Sequence, residues 1–115
     1  MDNKRENIIL NKSFDFALLI IEFFELLQQK VKYVIARQIL KAGTSIGANV
    51  KEAQSAESRV DFIHKLKIAA KEADETEYWL SLCKYSKNYP NSDYLLDQLI
   101  EIKKLLSSII SSSKK

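Results

Sequence analysis

Gly43, Gly47 and Pro90 are the only strong chain breakers in 115 residues. Tight turns lean on such residues, because glycine tolerates left-handed backbone and proline disfavours helical geometry at the residue before it. With so few of them, and with apolar residues recurring every three or four positions, the chain is directed into a few long helices. The proline falls in Asn88-Tyr89-Pro90-Asn91-Ser92, which reads as a turn, whereas both glycines lie inside a helical pattern.

Four amphipathic segments follow from the spacing. The first is expected over about 13–28, with Ser13 as N-cap and Phe16, Ile20, Phe23 and Leu27 as its inward seam. Its opposite row, Asp15, Leu18, Glu22 and Glu25, is mostly acidic. Ala17, Ile21 and Phe24 widen the apolar stripe beyond what one core requires. A polar connection over 29–32 leads to a second helix ending near residue 56, with a seam at Ile35, Ile39, Ala42, Ile46, Asn49 and Ala53. Beside it run Ala36, Leu40, Gly43, Gly47 and Val50, small enough in part for another backbone to approach. Two helical glycines cost roughly 1 kcal/mol each relative to alanine, so close packing or a local bend is the expected compensation.

The third segment starts at Ser58, which with Asp61 resembles a capping box carrying a shortened acid. Its seam is Phe62, Leu66, Ala69, Ala73, Thr76, Leu80 and Cys83, running to about residue 86. The fourth, capped by Asn91 or Ser92, carries Leu95, Leu99, Ile102, Leu106 and Ile109. Four such helices with short connectors imply an all-α, antiparallel up-down-up-down four-helix bundle. One domain over 1–115 is expected, with a short polar segment at 1–6 and a frayed tail at 111–115.

Chemistry is sparse. His64 is the only histidine and stands between Ile63 and Lys65, without a patterned nucleophile or ligand partner. Cys83 is the only cysteine, so no thiol cluster can hold a metal, and a reducing, cytoplasmic setting is expected. Glu72 and Glu75 share a helix face, but Glu75 is not followed by the histidine of bundle di-metal sites. No catalytic site, metal or cofactor is expected. The longest apolar stretch, 16–27, is interrupted by Glu22 and Glu25 and falls short of the ~20 residues that span a bilayer.

Two polar patterns stand out. Asn49 on the seam needs partners, and a network of Ser45, Asn49, Glu52, Glu72 and Glu75 is expected to cross from the second helix to the third and set register. The stretch from Leu26 to Lys51 holds Lys30, Lys32, Arg37, Lys41 and Lys51 without one acid. Arg37, Lys41 and Lys51 share the outward row of the second helix, and His64, Lys67 and Lys71 form a shorter row on the third. Such rows are either a solvated face or a phosphate-binding face, which gains strength when an oligomer repeats it.

The fragments Asn7-Ile8-Ile9-Leu10, Lys12-Ser13-Phe14-Asp15-Phe16-Ala17 and Ser45-Ile46-Gly47-Ala48-Asn49-Val50-Lys51-Glu52-Ala53 resemble the bacterial four-helix bundle family also called the 23S ribosomal RNA intervening-sequence protein family. So do Phe62-Ile63-His64-Lys65-Leu66-Lys67-Ile68-Ala69 and Lys71-Glu72-Ala73-Asp74-Glu75-Thr76-Glu77-Tyr78-Trp79-Leu80, so the likeness covers nearly the whole chain. The family is similar to the accessory variability proteins of diversity-generating retroelements, which form five-membered rings and bind nucleic acid alongside a reverse transcriptase. The resemblance implies a homo-oligomer, a pentamer in particular, with RNA or DNA and a reverse transcriptase or other protein as partners and no membrane. Arg37, Lys41, Lys51, Lys67 and Lys71 would then contact phosphates. The alternative is a protein-interaction or scaffold bundle that binds copies of itself or another protein without nucleic acid.

Overall fold

The computed structural model describes residues 3–114, so Met1, Asp2 and Lys115 lie outside the described residues. Four helices, α1 (Asn3–Gln29), α2 (Tyr33–Ala53), α3 (Arg59–Tyr85) and α4 (Asp93–Ser113), account for nearly all of them, and no strand occurs among the described residues. Each helix packs on its neighbour in the chain, and α4 packs back on α1. The body measures 46 × 20 × 19 Å, in keeping with helices of 27 residues rising about 1.5 Å per residue.

The core is one contiguous cluster. The seams of α1, α3 and α4 are buried as their spacing requires, including every seam residue from Phe62 to Cys83. Burial pushes the Cys83 thiol up to about 11, leaving little thiolate at neutral pH. Thr76, the one hydroxyl on the α3 seam, is satisfied by donating to the Glu72 carbonyl at 2.7 Å.

Three boundaries differ from the sequence reading. α1 begins at Asn3 rather than near Ser13, because Glu6, Ile9 and Ser13 continue the buried three-and-four spacing backwards. Ser13 is no cap: it is fully buried, and its hydroxyl donates to the Leu10 carbonyl at 3.2 Å. α4 runs to Ser113 instead of fraying from 111, because both neighbouring helices hold its end. Arg5 donates to Ser108 at 2.7 Å and to Ser112, and Arg59 donates to the Ser113 carbonyl at 3.3 Å. α2 stops at Ala53, and 54–56 tighten into a turn in which each amide bonds three residues back.

The seam of α2 is also rotated. Ala36, Ile39, Ala42, Gly43, Ile46, Val50 and Ala53 are buried, while Ile35 and Asn49 are only half-buried. Small residues draw α1 inward on that side. A Cβ on Gly43 would lie 2.7 Å from Ile20 Cγ1, and one on Gly47 would lie 3.2 Å from the Ser13 carbonyl oxygen. The helical glycines therefore serve close approach, as their placement suggested.

The caps follow local chemistry. Ser58 accepts from the Asp61 amide at 3.0 Å, and Asp61 reaches back to the Glu57 amide at 3.3 Å. Asn91 accepts from the Asp93 amide at 2.8 Å, which frees the buried Ser92 hydroxyl to donate across to the Leu80 carbonyl at 2.9 Å. α1 ends in a Schellman motif, with Lys32 N–H on the Leu27 carbonyl at 2.9 Å and Val31 N–H on the Gln28 carbonyl at 3.0 Å. The residue after the cap is normally glycine. Here it is Val31 at φ 64°, a left-handed conformation that branched side chains resist. Val31→Gly should raise stability by on the order of 0.5–1 kcal/mol, relieved strain outweighing the added freedom of the unfolded chain. A higher urea midpoint at unchanged m-value is the expected reading.

Candidate nucleic-acid interface

Arg37, Lys41 and Lys51 on α2 and Lys67 and Lys71 on α3 are all exposed. The two rows approach each other in the middle, where Lys41 and Lys71 both act on Glu72. Towards the far end of α2 they diverge. Lys51 borders a groove between α1 and α2 with Leu10, Phe14, Thr44 and Ala48, whereas Lys67 lines a shallow dent with Val60, Ile63, His64 and Lys114, on the side of α4. His64 itself is exposed.

Acids from α3 and the end of α2 interleave with these cations. Glu72 is held above the ordinary carboxylate range by its burial first and by Glu75 second, with Lys41 and Lys71 pulling it back. Glu52 pairs with Lys65 at 3.5 Å. The stretch that is acid-free along the chain is thus flanked by carboxylates in space, because residues 13 to 31 positions apart, Glu52 with Lys65 and Lys41 with Glu72, meet across the α2–α3 hairpin.

The expected polar network is corrected. Asn49 donates to the Ser45 carbonyl of its own helix at 2.8 Å, and Ser45 donates to the Lys41 carbonyl at 2.6 Å. Glu75 accepts from the Trp79 indole at 3.5 Å, again within one helix. Only Glu52 among these residues forms an ion pair across the hairpin, and its partner is Lys65. The rotation of α2 explains the change, since a half-buried Asn49 no longer needs a partner on α3.

α1 presents a different surface. Phe14, Leu18 and Ile21, spaced four and three apart, are 63%, 48% and 40% exposed, and Phe14 walls the α1–α2 groove of about 460 Å³. Asp15, Glu22 and Glu25 stand exposed beside them. At one end of the molecule, Arg5, Arg59, Phe62 and Ser112 enclose a dent of about 250 Å³ with Glu6; Glu6 is buried, and its Oε2 atom has no hydrogen-bond partner. The cluster as a whole is not visible along the sequence, since its members come from both ends of the chain and from the start of α3 and meet only on folding. Periodicity carried back from Phe16 to Glu6 was the available signal.

Among the described residues no group of three or more His, Cys, Asp or Glu is placed to hold a metal ion, and no helix is long and apolar enough to cross a membrane. No curated protein matches the chain. A solved structure from Bacteroides thetaiotaomicron, of a protein with unknown function from the S23 ribosomal protein family, is 45% identical over 93% of this chain and 98% of that one, with a TM-score of 0.87. The family model for the 23S rRNA-intervening sequence protein matches residues 5–108. With the four-helix, all-α architecture and this match over most of its length, the chain belongs to the 23S rRNA-intervening sequence protein family.

Proposed function

We propose that this chain is a non-catalytic, cytoplasmic accessory protein that assembles into a ring of identical copies, a pentamer, and binds nucleic acid weakly through its outer cations. A single up-down-up-down domain is the architecture that supports this reading. Its cross-helix pairings run in opposite chain directions: Ser13 with Gly47 and Ile20 with Gly43, Arg5 with Ser108 and Lys12 with Glu101, and Asp74 with Lys103 and Leu80 with Ser92.

The observation that carries the assembly reading is the exposed row Phe14, Leu18 and Ile21. Contiguous apolar surface of this kind marks association sites. Exposed Asp15, Glu22 and Glu25 flank that row, while exposed Arg37 and Lys41 lie on another helix. An acidic face meeting a basic face is a heterologous contact, which closes into a ring if its rotation permits. A ring would repeat the cations around its rim, and phosphate contacts add across such a surface. The family's description, naming an intervening sequence of 23S rRNA, favours RNA as the nucleic acid, with a reverse transcriptase or another protein as a further partner.

The interleaved Glu52 and Glu72 favour a second reading, a scaffold bundle that assembles without nucleic acid. Light scattering over a dilution series and binding to RNA and DNA at low salt separate the two. Wild-type protein should show five times the chain mass. Replacing Arg37, Lys41 and Lys51 together by glutamine should lower the slope of log affinity against log salt by about 2 to 3, at roughly 0.7–0.9 per phosphate. Helicity should not change, because all three side chains are exposed, and a fall in mass alongside it would mark Arg37 and Lys41 as the basic face of the contact between copies. A persistent monomer removes the ring, and absence of binding leaves the scaffold reading.

A further inference from the structure

Four of the five tyrosines in the chain gather at one end of the molecule. Tyr33 opens α2, Tyr85 closes α3, Tyr94 lies in the first turn of α4, and Tyr89 sits in the 86–92 connection. The 30–32 and 86–92 connections are in contact, since the Lys32 ammonium stands 4.8 Å from the centre of the Tyr89 ring. Lys84 stands 5.6 Å from the Tyr85 ring. Tyr85 is 82% exposed and Tyr94 63%.

The charge at this end is positive. Lys30 and Lys87 are exposed and Lys32 half-buried. The nearest acids along these segments are Asp93, paired with Lys84 at 3.3 Å, Asp97 in the next turn of α4, and Glu25 one turn back on α1. Aromatic rings beside ammonium groups suit one ligand class: a base stacks on the open ring face while its phosphate meets the cation.

Both connections also hold left-handed backbone, which asparagine accepts and a branched residue resists. Val31 and Asn88 have φ of 64° and 67°, and Val31 is an exposed branched residue where glycine would be more stable. Strain kept at a surface position points to use of that surface. The most exposed apolar groups at this tip are valines and tyrosines, with Leu26 and Leu82 only 38% and 37% exposed, rather than the Trp, Phe and Leu with which interfacial helices enter a bilayer.

We infer that this end of the molecule is a docking platform for single-stranded nucleic acid, with bases stacked on Tyr85, Tyr94 and Tyr33 and phosphates on Lys30, Lys32 and Lys87. The platform adjoins the outer row of α2, whose first cation, Arg37, lies one turn beyond Tyr33. It deepens the nucleic-acid reading above and rests on it for the ligand class. It differs in mechanism, since stacking requires unpaired bases and phosphate contact alone does not.

The test is fluorescence anisotropy of the full chain with labelled oligouridine, oligothymidine and an RNA hairpin duplex at low salt. Single strands should bind more tightly than the duplex. The Tyr85→Ala/Tyr94→Ala pair should weaken single-strand binding at least about tenfold and leave the salt slope unchanged. Tyr85→Phe/Tyr94→Phe should retain affinity, since stacking uses the ring and not the hydroxyl. Lys30→Glu/Lys87→Glu should weaken binding and flatten the slope while keeping the fold, an arm independent of the tyrosines.

Unchanged affinity in the alanine pair would overturn the platform, even where the Arg37, Lys41 and Lys51 triple variant loses binding and so upholds the outer rows. Capture by anionic phosphatidylserine vesicles without binding of any oligonucleotide would overturn it in favour of a lipid surface. A changed oligomer mass in the alanine pair would overturn it in favour of contact between copies.

Discussion

Gly43→Ala should destabilise the protein by about 1–3 kcal/mol, although alanine is the better helix former by about 1 kcal/mol. The added methyl would meet three atoms of Ile20 at 2.7 to 2.9 Å. Ile20 is fully buried, and its branched side chain has essentially one rotamer open to it in a helix, so it has nowhere to turn. The α1–α2 spacing must give instead. In an Ile20→Ala background the clash is gone, and the same substitution should stabilise by up to about 1 kcal/mol through helix propensity alone. Urea denaturation of the four variants in the cycle decides the matter: an unchanged sign in the Ile20→Ala background would show that Gly43 matters for some reason other than the contact with Ile20. Gly47→Ala should cost less, because its nearest contact is 3.2 Å.

Truncating Phe16 to alanine should cost about 3–5 kcal/mol, the larger of the two effects. Phe16 is only 1% exposed and heads the largest fully buried side chains in the core. It sits midway along α1, the helix that touches both α2 and α4, so the cavity it leaves has packed walls that relax only in part. Against a typical total of about 5–15 kcal/mol, such a loss would remove a large share of the stability. Phe14→Ala, two residues away and 63% exposed, should change monomer stability by no more than about 0.5 kcal/mol. If Phe14→Ala is as damaging as Phe16→Ala, the seam assignment for α1 is wrong.

The seams of α1, α3 and α4 were legible in the residues because each repeats at the helical period, with large apolar groups throughout α1 and α4 and with Phe62, Leu66 and Leu80 spacing the small residues of α3. Phe62 through Cys83 needed no tertiary information. The rotation of α2 was not legible, because Ile35 and Asn49 compete on equal spacing with Ala36 and Val50, and only the approach of α1 over Gly43 decides which side is deeper. The candidate site was read in part. Exposure of Arg37, Lys41, Lys51, Lys67 and Lys71 follows from their place opposite the seams. Glu52 and Glu72 directly follow Lys51 and Lys71 in the chain, but that Glu72 also reaches Lys41 shows only when α3 packs on α2.

The chain by itself determined that it would be helical, where three of its four seams lie, where Ser58 starts a helix and where Pro90 separates two more. These are local properties, set by period, breakers and the hydrogen bonds of residues three or four apart. Only the tertiary structure decided that Ser112 and Ser113 are held, that Asn49 turns to its own helix, and that four tyrosines and their lysines share one end. Each of these depends on groups tens of residues apart meeting across a packed interface. The energies involved are small differences between burial and exposure, which no local pattern encodes.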